Sequence, residues 1–225
     1  GGENHPSAGT VNLTRTVIPA ADDEGLDTGT RWAGGAQWGI ITQRATAVTN
    51  GSRGFEWSAA PSGTAFYAQP KVSNWTIVGR NAAVAADALL TLNTGTQPTI
   101  INSVITNPST SAAACLDIDD AQTVANNPVF RSVYFSCSRP YVNDTNVNPA
   151  PTEAVFINAT NVGNTATGVS SMTAPAGATL TAQSLAFING ANETAVTPAH
   201  APAIYSFFTA VTYVGAVRNA AAAAG

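Results

Sequence analysis

Charge is what this sequence has least of. Only 10% of its 225 residues are Asp, Glu, Lys or Arg, against about a quarter in an ordinary globular chain. Lys71 is the single lysine, and the arginines are scattered without a run. A nucleic-acid partner needs a basic face, so that class of function is set aside. No apolar stretch reaches the about 18 residues of a membrane-crossing helix, so the sequence predicts no membrane span. Zinc spacing, a phosphate-binding glycine loop and the nucleophile elbow of hydrolases are all missing. No leader-like segment opens the chain, which reads as the mature form of an exported protein.

What remains is 44% hydrophobic, enough for a sizeable core, set in a background of Thr, Ser, Asn and Gly. Such a polar but nearly uncharged surface suits strands and turns better than helices, whose wet faces usually carry Glu and Lys. Two series of strand-like segments recur. The first is LTRTVI from Leu13, WGIITQ from Trp38, NWTIVG from Asn74, NSVITN from Asn102 and RSVYFS from Arg131, with starts 25, 36, 28 and 29 residues apart. The second falls between them: GLD at Gly25, GFE at Gly54, ALLTL at Ala88, CLDID at Cys115 and AVFIN at Ala154. Two interleaved series with one drifting period predict the coils of a solenoid. A sandwich would instead show strands every 8–12 residues or so with hairpin turns.

The predicted fold is therefore all-β, a right-handed parallel β-helix of about five to six coils. Residues 1–12 read as an extension that packs between subunits, 13–200 as the β-helix domain, and 201–225 as a C-terminal strand or cap with an Ala-rich tail. Leu26, Phe55, Leu89, Leu116 and Val155 are the candidates for an inward ladder, with Asn and Thr ladders closing the corners.

The motifs AADDEGLDTGTRWAGGAQWGIITQ, GFE, NWTIVG, CLDIDD, VYFSC, ANETAV and FFTAVTYVGAV resemble, in this order, a family of secreted bacterial right-handed parallel β-helix proteins. The resemblance covers roughly Thr14 to Val217. It implies the fold and export to the cell surface or beyond, and no particular activity. That family tends to continue past YVGAV with a Trp-bearing tail, where this chain has alanines.

Cys115 and Cys137 lie 22 residues apart, about one coil, so a disulfide between neighbouring coils is expected in an exported chain. Asp117, Asp119 and Asp120 are either a solvated strand end or part of a site. Asp22, Asp23, Glu24 and Asp27 form a second acidic knot, and Asp27 and Glu56 occupy matching places in successive coils. Stacked carboxylates repel unless an Arg, a proton or a cation lies between them. Pairing with Arg31, Arg44 or Arg53 is the simpler solution. A calcium ion held by Asp27, Glu56, Asp117 and Asp119 is the functional one. Trp32, Trp38, Trp57, Trp75 and Tyr67 would either line a sugar cleft or stack inside the helix.

No base, nucleophile and acid occur at matching spacing, so no catalytic residue and no cofactor are assigned. Two functions are left. The first is an extracellular structural subunit that assembles with itself into a filament or surface appendage through Gly1, Gly2, Val11 and Leu13, whose polar, Gly-rich segment leaves its own body for the next copy. The second is a polysaccharide-binding or polysaccharide-degrading β-helix protein, acting as a lyase or glycosidase.

Overall fold

The computed structural model describes residues 9–21, 23–28, 31–44, 53–59, 67–80, 88–108, 110–142, 152–178 and 186–223. Among these, every pairing between named strands is parallel. Five coils stack in chain order. The first holds β1 (Leu13–Ala21) and β2 (Leu26–Thr28), the second β3 (Gly35–Gln43) and β4 (Phe55–Ser58), the third β5 (Lys71–Val78) and β6 (Ala88–Asn93). The fourth holds β7 (Thr99–Ile101), β8 (Val104–Thr106) and β9 (Ala114–Ile118), followed by the short helix α1 (Ala121–Ala125). The fifth holds β10 (Val129–Arg131), β11 (Tyr134–Ser136) and β12 (Arg139–Val142), followed by α2 (Thr152–Phe156). One sheet runs β1-β3-β5-β7-β10, with β8 and β11 continuing its far half, and a second runs β2-β4-β6-β9-β12. This is an all-β parallel β-helix, as the interleaved periods predicted.

The core is built of ladders, because parallel register places like positions of successive coils above one another at about 4.8 Å. Ile18, Ile41, Ile77, Ile105 and Phe135 form one row of the first sheet, each at most 5% exposed. In the second sheet the row is Leu26, Phe55, Leu90, Leu116 and Tyr141. The five expected ladder residues are all buried, but two sit elsewhere. Leu90, not Leu89, pairs with Phe55; Leu89 instead takes the bond from Gly54 N at the preceding corner. AVFIN is not a strand: Thr152–Phe156 is helical and folds Val155 and Phe156 over the end of the core, while Arg139–Val142 supplies the fifth rung.

The first sheet bends sharply at one residue per coil. Arg15, Trp38, Asn74, Asn102 and Ser132 occupy equivalent positions, and all have positive φ, between 50° and 61°. Gly163, at φ 75°, continues the column, one residue before Asn164 and two before Thr165, which bridges to Tyr134. Asparagine is the non-glycine residue that visits this left-handed region most readily, which explains two of the six. Gly39, beside Trp38, has no room for a side chain: an added Cβ would lie 2.2 Å from the Trp75 indole.

The left-handed turn aims side chains outward, where they hold the C-terminal segment. Gln37 exchanges two bonds with Thr209 (2.8 and 2.8 Å), and Asn102 exchanges two with Ala199 (3.0 and 2.7 Å). Asn74 Nδ2 donates to the Tyr213 and Gly215 carbonyls, Trp38 Nε1 to Tyr213 OH, and Ser132 Oγ to the Thr197 carbonyl. Residues 197–217 thus run down one side of the corner and back up the other. Ala201 and Phe208 pack on Ile101, and Val214 packs on Val104 and Tyr134. Of the strand or cap expected over 201–225, no strand forms among the described residues. The segment is held by the corner side chains, by the bond of Gly215 N to the Asn102 carbonyl, by Thr76 Oγ1 and Asn189 Nδ2 on Ala216 N and the Val214 carbonyl, and by the bridge of Val217 to Ile188, and it keeps turns and a single-turn 3-10 helix at Ala201–Ala203. The short helices α3 (Ala191–Thr194) and α4 (Ala220–Ala223) flank it.

Candidate functional site

Side chains alternate across the second sheet, so the residues between the core rows face outward. They form the row Asp27, Glu56, Thr91, Asp117 and Val142. The expected matching of Asp27 with Glu56 is therefore present. Asp117 stands two rungs beyond Glu56, about 10 Å along the stack, with Thr91 between. Asp119 lies past the end of β9, its N–H on the Leu92 carbonyl, and Asp120 caps α1 by accepting from Thr123 N and Oγ1. The four residues assigned to calcium do not converge on one point. Among the described residues no group of three His, Cys, Asp or Glu is placed to hold a metal ion. The reason is geometric: a ladder spreads its carboxylates along the axis, whereas a calcium cage gathers six to eight oxygens around one point.

The acids that do converge are Glu24 and Glu56, with Asp23 hydrogen-bonded to Glu24 beside them. Glu24 sits just before β2, where Gly25 N and Leu26 N bond the carbonyls of Arg53 and Gly54 in the next coil. That stacking brings Arg53 between the two acids. Its Nη1 lies 2.6 Å from Glu56 Oε2 and 3.7 Å from Glu24 Oε1. Burial, followed by the hydrogen bond between the two carboxyls, pushes Glu24 up to about 8. Glu24 is thus the protonated partner near neutral pH. The ion pair of Arg53 is with Glu56, and the longer approach to Glu24 is a contact with a neutral acid. All three remain partly open to solvent, the side chains of Glu24, Glu56 and Arg53 being 12%, 26% and 28% exposed. Arginine pairing, the simpler solution expected for Glu56 in its row with Asp27, is met at Glu56 by Arg53, which also approaches Glu24.

The sequence singled out Glu24, Glu56 and Arg53 separately but did not bring them together. Joining them needed the register, which sets Gly25 on Arg53. The tryptophans divide as the packing alternative foresaw. Trp32, Trp57 and Trp75 are fully buried and give their indole N–H to the carbonyls of Val11, Leu26 and Ala36. Trp38 is half-exposed, with the Arg15 guanidinium 5.0 Å above its ring, and Tyr67 is partly exposed.

Cys115 and Cys137 form the expected disulfide, tying the fourth coil to the fifth across a Cα separation of 5.7 Å. Of the residues assigned to self-assembly, Gly1 and Gly2 lie outside the described residues. Leu13 does not leave its own body: it opens β1 and pairs with Ala36 of the same chain. Val11 is held by its carbonyl on Trp32 Nε1, and its side chain stays 64% exposed. The correction has a simple cause. A nine-residue strand gains a full ladder on β3 next to it, at no cost in association entropy.

No described helix is long and apolar enough to cross a membrane. A family model described as a pectate-lyase like beta helix domain matches residues 7–184. No curated protein and no solved structure matches the chain.

Proposed function

The chain belongs to the pectate-lyase-like β-helix family, and from that premise we propose that it binds a polysaccharide chain along the outer face of its second sheet, outside the cell. The observation that carries this reading is the trio of Glu24, Glu56 and Arg53 on that face. A neutral carboxylic acid, an ionised carboxylate and a guanidinium within hydrogen-bonding reach of one another offer donors and acceptors together, which is what sugar hydroxyls require. Asp27 extends the outward row beside Glu56, whereas Thr91 and Asp117 further along it are buried, so contact with a chain centres on the first two coils.

The charge of the face narrows the ligand. At the trio Arg53 balances the charge of Glu56 and Glu24 holds a proton, so the site offers no surplus positive charge to attract a polyuronate. A neutral or amino-sugar polymer fits better. Glu24 and Glu56 also hold the parts of acid–base chemistry, but their direct hydrogen bond sets them closer than the roughly 5–5.5 Å of a retaining glycosidase pair. Binding is therefore the reading, and cleavage is part of its test.

The test is co-sedimentation of the full chain with insoluble neutral, amino-sugar and uronate polysaccharides, with assays for new reducing ends and unsaturated products. Binding to a neutral or amino-sugar polymer that falls at least tenfold in Glu56→Gln and Arg53→Met supports the proposal. Equal binding by the variants, or none by the parent, refutes it. Product release abolished in Glu24→Gln would add catalysis.

A further inference from the structure

The two ends of the solenoid share a set of features that its sides lack. At the first coil, β1 pairs with β3 on one edge, and among the described residues no strand pairs with its other edge. At the far end, residues 161–168 lay a partial sixth rung on the fifth coil. Phe135 N and Thr165 N exchange bonds with the carbonyls of Thr165 and Val133, and Gly168 N bonds Phe135 O. Asn161 and Asn164 fill the remaining positions with their side chains. The left-handed corner persists from Arg15 in the first coil to Gly163 in this last rung. The first and last rungs therefore share one bend at one place.

Exposed large apolar side chains follow the same division. Among the described residues they are Val11 (64%) and Val17 (62%) in the first coil, and Ile157 (63%), Val162 (57%) and Val169 (74%) in the last. None lies on the coils between, whose corner the C-terminal segment covers. Charge is sparse in the two segments that would pair: Arg15 is the only charged residue of β1, and 161–168 holds none.

We propose that copies of this chain associate head to tail, the first coil of one stacking on the last rung of the next. Parallel stacking sets corner on corner, Arg15 of one copy over Gly163 of its neighbour, and brings the free edge of β1 to the outer edge of residues 161–168. Two first coils meeting each other would instead run antiparallel and would not continue the parallel stacking of corner on corner. The head-to-tail contact joins different surfaces and carries each copy on along the solenoid axis, so it repeats into a filament instead of closing into a ring.

The experiment uses the full chain and two variants altered at exposed positions, Val17→Lys in the first coil and Val162→Lys in the last rung. Sedimentation velocity and electron microscopy read the species formed. The expected result is long assemblies for the parent and monomers for each variant alone. A 1:1 mixture of the variants should stop at dimers, because each supplies one intact end. A parent that stays monomeric at high concentration overturns the proposal, as does a mixture that stays monomeric or grows past dimers. Continued assembly of Val162→Lys alone, with loss in Val17→Lys, would show first coil against first coil and equally overturn it. Polysaccharide binding is measured separately, so either reading fails without the other.

Discussion

Replacing Asn102 tests how the corner and the C-terminal segment depend on each other. Asn102 is fully buried, sits at φ 50°, and holds Ala199 through both its amide oxygen and its amide nitrogen. Asn102→Ala removes both bonds and leaves the partly buried N–H and C=O of Ala199 without them, about 1–3 kcal/mol in total where water reaches one of them. It also puts a residue with no polar side chain in the left-handed region, at about 1–2 kcal/mol. The expected loss is about 2–5 kcal/mol. Asn102→Gly loses the same bonds but relieves the backbone strain, so it should be the more stable of the two by about 1 kcal/mol. Denaturant unfolding at equal slope measures both. The reasoning fails if Ala and Gly are equally stable, since the strain would then be absent. It also fails if neither variant loses stability, since the segment would then not be held by this side chain.

Phe55→Ala should cost about 3–5 kcal/mol, because Phe55 is fully buried, stacks on Trp57 at 4.5 Å and meets Trp75 edge-on at 5.2 Å; an unchanged midpoint in a denaturant titration would contradict the ladder register. Reducing Cys115–Cys137, which spans 22 residues, should remove about 3 kcal/mol by freeing the unfolded chain, visible as a lower midpoint with reductant and no shift in a Cys115→Ala, Cys137→Ala double variant. Glu24, at about 8 in the fold against 4.5 when free, binds more protons folded than unfolded between these values, so its contribution is present below 4.5 and is lost as pH rises through 8. Thermal melts from pH 5 to 9 should therefore decline more steeply for the parent than for Glu24→Gln, and parallel curves would refute the shared proton. Gly39→Ala should fold poorly, because its Cβ would enter the Trp75 ring, and a melt equal to the parent's would show that the indole can move aside.

The fold was legible because a parallel β-helix writes its period directly into the sequence. LTRTVI, WGIITQ, NWTIVG, NSVITN and RSVYFS each supply rungs of one sheet, and the cysteine spacing of about one coil set the disulfide. Register was harder. ALLTL contains adjacent leucines, both buried, and only the ladder decides that Leu90 lies over Phe55. AVFIN has strand-like composition, yet Ala154–Phe156 fall in α2, which satisfies its own backbone and folds Val155 and Phe156 over the end of the core. The β-prone segment from Ile204 packs along the corner without strands of its own, its backbone held by Gln37 and Asn74 from more than 100 residues away, a partnership that no local pattern reports. The Glu24–Glu56–Arg53 cluster was half visible as acids in matching coils, but the proton between them depends on burial, which no spacing reports.

The C-terminal clasp changes how such a stack should come apart. In a solenoid whose coils touch only their neighbours, stability is a sum of local terms and the ends fray independently. Here one segment bonds Asn12 and Gln37 at the first two coils, through Tyr205 and Thr209, and Asn102 and Ser132 at the fourth and fifth, through Ala199 and Thr197. Peeling any outer coil must therefore strain bonds on the far ones. The coils should unfold as one cooperative unit, with uniform hydrogen-exchange protection along the axis. Folding should be slow at its last step, because the bond between Gln37 and Thr209 closes a span of 172 residues and forms only after the corner column exists to receive it.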